Sequence, residues 1–529
     1  MAYYKDLREH METLEAKGKL IRVERQMNKD TELMPLVRWQ YRGLAEEQRK
    51  AFLFENVVDA RGKKYDMPVL VASNAASTEI YALGMMCQPN EIMEKFAQAQ
   101  QHPIEAKLVK QGPAQEVVYA GKNLMERGCL DEIPVPVSTP GFDNAPYLTC
   151  ANWVSKDPET GIRNVGNYRG QIRSQTRMGI NCTWPQHLRQ HWEKCRAKGK
   201  PLEAAIAIGV TPNICYLSVT KIPYGVDEFA VAGAIAGEPI ELVKCKTVDV
   251  EVPATSEMVI EGVLPTDSLE WEGPFGEHTG YVFGRGQRPY FNVTAITHRK
   301  DAIYNVFFSQ FPPSESSKMR QTSDNAVVYH MLKYVRGIEG IKDVCFHEES
   351  GSYQFLVISM KKAYPVQVWQ ALKLADAFNP WQGKMIIAVD EDIDARDPDS
   401  VIWALCYRMQ PHRDILITQG KVASLDPSAA PPGTPLPPGY AEQPTSSMLI
   451  DATIKWDYPP IALPAQKYME HSKKIWEELG LPKLTPKVPW YGRSLGLWSK
   501  GDQEAADLAV TGDYYTNGEK IAENRLKLG

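Results

Sequence analysis

Leu7, Met11 and Leu14 recur at helical spacing and Gly18 follows them as a stop, so the first element is predicted to be an amphipathic helix leading into a strand near Leu20–Val23. Helical and strand patterns recur to about residue 110. From about Val117 the texture changes: short β-rich runs (AAIAIGV, CYLSVTKI, VDVEVP, YFNVTAITH) are punctuated by glycine and proline, the pattern of a β-barrel or sandwich. After about residue 320, helical patterns alternate with the apolar runs QFLVISM, KMIIAVD and DILITQG, which predicts an α/β layer. The stretch DPSAAPPGTPLPPGYAEQP, Asp426 to Pro444, reads as an extended loop with no core of its own, either a lid or a spacer. A last amphipathic helix is expected over 465–479, and the aromatic-rich tail PWYGRSLGLW reads as an arm packing on a neighbour. The resulting division is an N-terminal α/β domain (1–116), a central β domain (117–319), a C-terminal α/β domain (320–460), and a terminal helix and tail (461–529) suited to contact between subunits. There is no internal repeat.

A chain of 529 residues exceeds what one hydrophobic core usually supports, in keeping with several domains. The 60 Lys and Arg against 65 Asp and Glu, with no long basic run, argue against nucleic acid and for a small-molecule partner. Nine cysteines lie between Cys87 and Cys406 without a CxxC pair, so no zinc ribbon or dithiol motif is expected and the set suits reduced thiols in a cytoplasm. The charged, amphipathic N-terminus is unlike a secretory signal, and no run approaches a membrane span; a soluble cytoplasmic protein is the expectation.

Five stretches of the central region carry candidate chemistry. EGPFGEHTG places Glu272 and Glu277 around a Gly-Pro-Phe-Gly turn. Five residues do not align two side chains on a strand or a helix, so a tight loop must bring them together if they act as a pair. Paired carboxyls in unlike environments can serve as a proton donor beside a permanent anion; the plain alternative is a solvated acidic turn. RNVGNYRGQIR can present Asn164 and Arg169 from one junction around Gly166, or a cross-strand polar pair. WPQHLRQHW carries His187 and His191 at i and i+4 on a helix expected to start after Pro185, and the absence of the Glu of HExxH argues against a zinc protease. YGVDEFAVAG offers Asp227 and Glu228 before a small-residue run, equally the acidic N-terminus of a helix. LSVTKIP adds Ser218, Thr220 and Lys221. Were Asn164, His187 and Glu228 to converge, two oxygens and a nitrogen would suit manganese or magnesium better than zinc or copper, and Arg169 could pair bidentately with Glu272, Glu277 or a substrate carboxylate.

The order Asn-x4-Arg, Pro-Gln-His, Gly-Val-x-Glu, VPATSEMVIEG and EGPFGEHTGY, with DEDIDARDPDSVIWAL and IDATIKW downstream, resembles the UbiD-like family of reversible decarboxylases that use prenylated flavin mononucleotide (FMN). The resemblance runs from YKDLREHMETLE to about Asp457. It implies a central split barrel related to flavin reductases, with the cofactor phosphate held through a divalent metal, manganese or magnesium, and a potassium ion. By motif, Asn164, His187 and Glu228 resemble the metal ligands, and Arg169, Glu272 and Glu277 the catalytic Glu-Arg-Glu set, with Glu277 as proton donor and Glu272 ionised against Arg169. Val165, Gln186, Ser218 and Thr220 match positions lining the cofactor and its ions. One departure is Ser447, in SSMLIDAT, where many relatives carry a lysine thought to face the cofactor or its phosphate.

The implied substrate is an α,β-unsaturated or aromatic carboxylate. The extended tail is reminiscent of members acting on benzoate-type acids, hydroxybenzoates and phthalate derivatives carried on coenzyme A. The same chemistry can run as carboxylation. A flavin prenyltransferase is the implied cofactor supplier, and homodimers or homohexamers the implied assemblies. The competing readings are a metal-dependent hydrolase that needs no flavin and a flavin-binding scaffold without turnover.

Overall fold

Asp6 caps the first helix, Leu7–Ala16, its carboxylate accepting from the backbone N–H groups of Arg8 and Glu9 at 3.0 and 3.2 Å, and Leu7, Met11 and Leu14 are buried on one face, as the spacing predicts. The computed structural model describes residues 2–127, 129–422, 425–437, 443–523 and 525–526. After the first helix the strand Leu20–Val23 opens a four-stranded sheet with Ala51–Phe54, Val69–Val71 and, from much later in the chain, Tyr304–Val306.

The central element is a sheet of nine described strands, all paired antiparallel and curled into a half-barrel. Its order is Arg163–Asn167, Asn152–Lys156, Leu202–Ile208, Met258–Leu264, Tyr290–His298, Arg177–Ile180, Gly170–Ser174, Tyr147–Leu148, with Val117–Ala120 also on Tyr290–His298. Trp153 fills the core beneath it, fully buried, its ring edge on Phe291 with centroids 4.9 Å apart and its indole N–H donating to the Tyr168 carbonyl at 2.8 Å. Trp153→Ala should therefore lower unfolding free energy by about 3–5 kcal/mol in a urea titration, because it leaves a large void and an unpaired buried carbonyl.

One apolar run departs from its expected element. CYLSVTKI lies mostly in a helix, Pro212–Val219, rather than a β-run. Pro212 stands at the first turn, where a missing N–H costs nothing, and Pro212 to Ser218 are all buried, so no face is polar and the sequence shows neither period.

The C-terminal region is a five-stranded mixed sheet, in the order Ile341–Phe346, Phe355–Met360, Met385–Asp390, Pro444–Ala452, Ile415–Val422. Apolar side chains are buried on both faces: Leu356, Ile358, Ile386 and Ala388 in one cluster, Val357, Ile387 and Val389 in another. This is why FLVISM and MIIAVD read as continuous apolar runs rather than alternating ones. In the Pro-rich loop, 438–442 lie outside the described residues; Asp426, nearer its start, pairs with Lys384 at 2.7 Å. The helix Gln466–Glu478 forms as expected, but it and the following helices Lys500–Val510 and Tyr514–Glu523 bury no residue. All nine cysteines are free. Among the described residues no helix is long and apolar enough to cross a membrane.

Candidate functional site

The strand Arg163–Asn167 pairs with Asn152–Lys156 so that Asn164 lies opposite Ser155. The helix His187–Ala197 lays one face over both strands: His187 Nδ1 sits 2.9 Å from Asn164 Oδ1, and His191 Nδ1 sits 2.9 Å from the Ser155 hydroxyl oxygen. The i, i+4 spacing does align the two imidazoles, but Ser155 occupies His191, which burial holds at a pKa of about 4. Burial, reinforced by the charge of Lys221, also lowers the pKa of His187, leaving it a neutral donor.

Glu228 is the first residue of the helix Glu228–Ala236, which Asp227 caps by accepting from the Phe229 N–H at 2.9 Å. Asp227 is held in turn by Arg163 at 2.6 Å. Glu228 is 3% exposed. One carboxylate oxygen accepts from the Val165 backbone N–H at 2.8 Å and the other lies 3.9 Å from His187 Nδ1. No lysine or arginine among the described residues pairs with it, and burial pushes its pKa up to about 8 despite the Val165 hydrogen bond. A buried carboxylate drawn together with an imidazole and an amide oxygen, and lacking a cation, has the donor chemistry of a hard or borderline divalent ion. No cluster of three or more His, Cys, Asp or Glu side chains with ligand geometry occurs among the described residues; this set depends on the asparagine.

Gly166 lies between Asn164 and Arg169 because Tyr168 folds back onto it: a Cβ there would stand 2.5 Å from Tyr168 Cε2. Arg169 lies just past the end of the strand Arg163–Asn167, before Gly170–Ser174, and meets the EGPFGEHTG loop. Arg169 Nε and Nη2 donate to the two oxygens of Glu272 at 2.8 and 2.7 Å, and Nη1 contacts Glu277 Oε1. The guanidinium also lies over the Phe275 ring, 4.9 Å from its centroid. Glu272 is 1% exposed and ends the strand Glu270–Glu272. Gly273, at φ +94°, turns the chain, and Phe275–Gly276 pairs with Val282–Phe283, delivering Glu277 to the same arginine. Asn144 fixes the Gly273 carbonyl at 2.8 Å and Asp143 accepts from the Gly276 N–H at 2.9 Å.

Arg169 and Glu277 open onto a cavity of about 410 Å³, walled also by Phe275, His278, Phe283 and Phe307 and, from the C-terminal region, by Arg320, Asp324 and Trp381. Gln186 lines it as well, while its side-chain oxygen accepts from the Thr183 N–H at 2.8 Å. The Ser218 and Thr220 hydroxyls donate back to the Cys215 and Tyr216 carbonyls at 2.7 and 2.6 Å and do not line the cavity. Ser447 is farther still, donating to Asp376 Oδ1 at 2.7 Å within the C-terminal sheet and helix layer. A larger hollow of about 710 Å³ lies near the first helix; on its wall Arg22 pairs with Glu15 and Glu55, and Arg8 with Asp301.

Three groups at the cavity escape the sequence reading. His278 stands beside Glu277 within EGPFGEHTG, where it was in view. Arg320 and Asp324 sit in the polar run SESSKMRQTSDN, which looks like a solvated face; the helix Glu315–His330 is instead buried over most of its surface. Burial raises the pKa of Asp324 to about 7 against the opposing charges of Lys221 and Arg320.

Comparison with known proteins matches residues 11–100, 107–311 and 318–452 to the N-terminal, Rift-related and C-terminal domains of 3-octaprenyl-4-hydroxybenzoate carboxy-lyase, the three UbiD family profiles. An uncharacterized protein of Synechocystis, sll0936, is 34% identical over 444 residues, covering 78% of this chain and 84% of that protein. Among solved structures, an evolved dimeric form of the UbiD-class enzyme HmfF from Pelotomaculum thermopropionicum, in complex with prenylated FMN, superposes with a TM-score of 0.76 at 31% identity, over 89% of this chain and 100% of that one. Vanillic acid decarboxylase of Sedimentibacter hydroxybenzoicus in its closed form gives a TM-score of 0.76 at 27% identity, over 90% and 100%.

Proposed function

The chain belongs to the UbiD family of carboxy-lyases that work with prenylated FMN, and from that premise we propose that it decarboxylates an aromatic or α,β-unsaturated carboxylic acid, reversibly and without net oxidation, using Glu277 as proton donor. The observation that carries this reading is the cluster of Glu272, Arg169 and Glu277, with Arg169 and Glu277 on the wall of a cavity that Phe275, Phe283, Phe307 and Trp381 also line. Two similar structures support the cofactor and the substrate class: one holds prenylated FMN, and the other is a decarboxylase of vanillic acid.

Cleaving carbon dioxide from an sp² carbon leaves a carbanion that side chains cannot stabilise, and prenylated FMN supplies the electron sink when bound. Glu272 takes the two-pronged face of the guanidinium, the geometry that best fixes an ionised carboxylate. One arginine cannot neutralise two carboxylates, so Glu277 is the carboxyl left to exchange a proton with the substrate carbon. Phe275, Phe283, Phe307 and Trp381 present apolar surface to the space into which that proton passes. Asn164 Oδ1, His187 and Glu228 would hold manganese or magnesium against the flavin phosphate. Val165, Gln186, Ser218 and Thr220 would flank the flavin and a potassium ion, with lone pairs of the two hydroxyls still free to accept a cation. With the metal in place, Glu228→Ala should lower manganese in the purified protein by about tenfold or more, because a first ligand matters at least as much as an outer-shell one. Flavin should be lost in parallel, while circular dichroism stays unchanged.

The proposed central domain would carry the flavin as a split barrel of the flavin-reductase kind, with 1–116 and 320–460 packed on it. The terminal helices, which bury nothing in the single chain and expose Tyr468, Ile475, Val510 and Ile521, are the proposed contact for a homodimer or homohexamer. Absorbance and mass of the released chromophore, with manganese and potassium counted, test the cofactor reading in protein produced with and without a flavin prenyltransferase. Prenylated FMN with both ions is the expected result. A colourless protein after co-production would favour the metal-only hydrolase.

A further inference from the structure

The helix Glu315–His330 brings to the cavity polar groups that the proposed reaction leaves idle. Arg320 and Asp324, one turn apart on it, line the space together with Lys221 and His278. Two buried nitrogens there, Arg320 Nη1 and His278 Nε2, have no hydrogen-bond partner. Among the described residues neither Arg320 nor Lys221 is in an ion pair, the Asp324 carboxylate accepting instead from the Gln382 amide at 2.6 Å. His278 is 8% exposed, and burial, with the charges of Arg320, Lys221 and Arg169 around it, keeps its pKa well below the usual imidazole range. This wall therefore offers two cations and a neutral imidazole, only partly balanced by Asp324.

Buried guanidinium and imidazole nitrogens left unpaired are costly, and an incoming anion removes that cost. The carboxylate that departs as carbon dioxide is a poor occupant. A strong ion pair to it would stabilise the ground state and be lost as its charge moves into the ring, which slows the step. The occupant must be an anion that stays on the substrate.

We propose that Arg320, with His278 and Lys221, forms a subsite for a second carboxylate on the substrate, so that preferred substrates are aromatic acids bearing another carboxylate besides the reacting one. This rests on the decarboxylase reading above. A flavin phosphate has the same chemistry, but that reading places it at Asn164, His187 and Glu228, none of which lines this cavity. The planar fork of Arg320 suits a carboxylate in particular.

Titration calorimetry of benzene-1,3-dicarboxylate and of benzoate into the full-length, flavin-loaded protein tests this for the wild type, Arg320→Gln and Arg320→Lys, with flavin absorbance recorded for each. The wild type should bind the dianion about tenfold or more tighter than benzoate. Arg320→Gln should lose that preference with its flavin content unchanged, Arg320→Lys should keep part of it, and in turnover the loss should fall on KM rather than kcat. Equal affinities in the wild type, or an equal loss for both ligands in Arg320→Gln, overturn the proposal. Loss of flavin with the preference intact overturns it too, assigning Arg320 to the cofactor phosphate. Calorimetry needs no turnover, so a failed decarboxylase reading would show separately, as a retained dianion preference without carbon dioxide release.

Discussion

Glu277→Gln is expected to lower turnover by about 10²–10⁴-fold, the range a positioned general acid contributes, while the protein keeps its flavin and its fold. The amide is nearly isosteric with the carboxyl and can still meet Arg169 through its oxygen, so the loop that Asp143 and Asn144 pin stays in place. What it lacks is a transferable proton. Single-turnover assays and flavin absorbance of the same preparation separate the two effects. Retained turnover would remove Glu277 from the mechanism, and lost flavin would turn its role into a structural one.

Arg169→Met should have the second large effect, on both stability and rate. Glu272 is almost wholly buried and takes both of its described hydrogen bonds from Arg169. Removing the cation leaves one or two carboxylates without a partner, at about 3–5 kcal/mol, the usual consequence of breaking a buried pair from one side. Glu272 and Glu277 would then relieve their repulsion by taking up protons or moving apart, and turnover should fall by about 10²–10³-fold, as when one preorganised electrostatic partner is removed. Arg169→Lys keeps the charge but not the fork, so it should recover much of the stability and little of the rate. Urea denaturation beside kcat for the two variants checks this; equal rates in Arg169→Lys and the wild type would show that charge alone suffices.

These two expectations rest on residues that were legible in the sequence. Motif order marks Glu272, Glu277 and Arg169, and the five-residue spacing of the two glutamates, which neither a helix nor a strand aligns, requires a turn such as the one Gly273 makes. Leu7, Met11 and Leu14 announced their helix because one face is buried and the other wet. CYLSVTKI did not, because a helix buried on every side has no period to read. Arg320 and Asp324 were invisible for the opposite reason: in a polar helix nothing local tells a solvated face from a buried one, and only packing between the central and C-terminal regions puts them at the cavity. Ser447, standing where many relatives carry a lysine, donates its hydroxyl to Asp376, a partner that strand register decides and local sequence does not.

The most direct test of the decarboxylase account is carbon dioxide release from a panel of aromatic acids in D2O, using protein produced with and without a flavin prenyltransferase and, in parallel, Glu277→Gln. Carbon dioxide and a product carrying one deuterium at the vacated ring position are expected only from the wild type produced with the prenyltransferase. Release at the same rate without the prenylated flavin, or undiminished in Glu277→Gln, would contradict it.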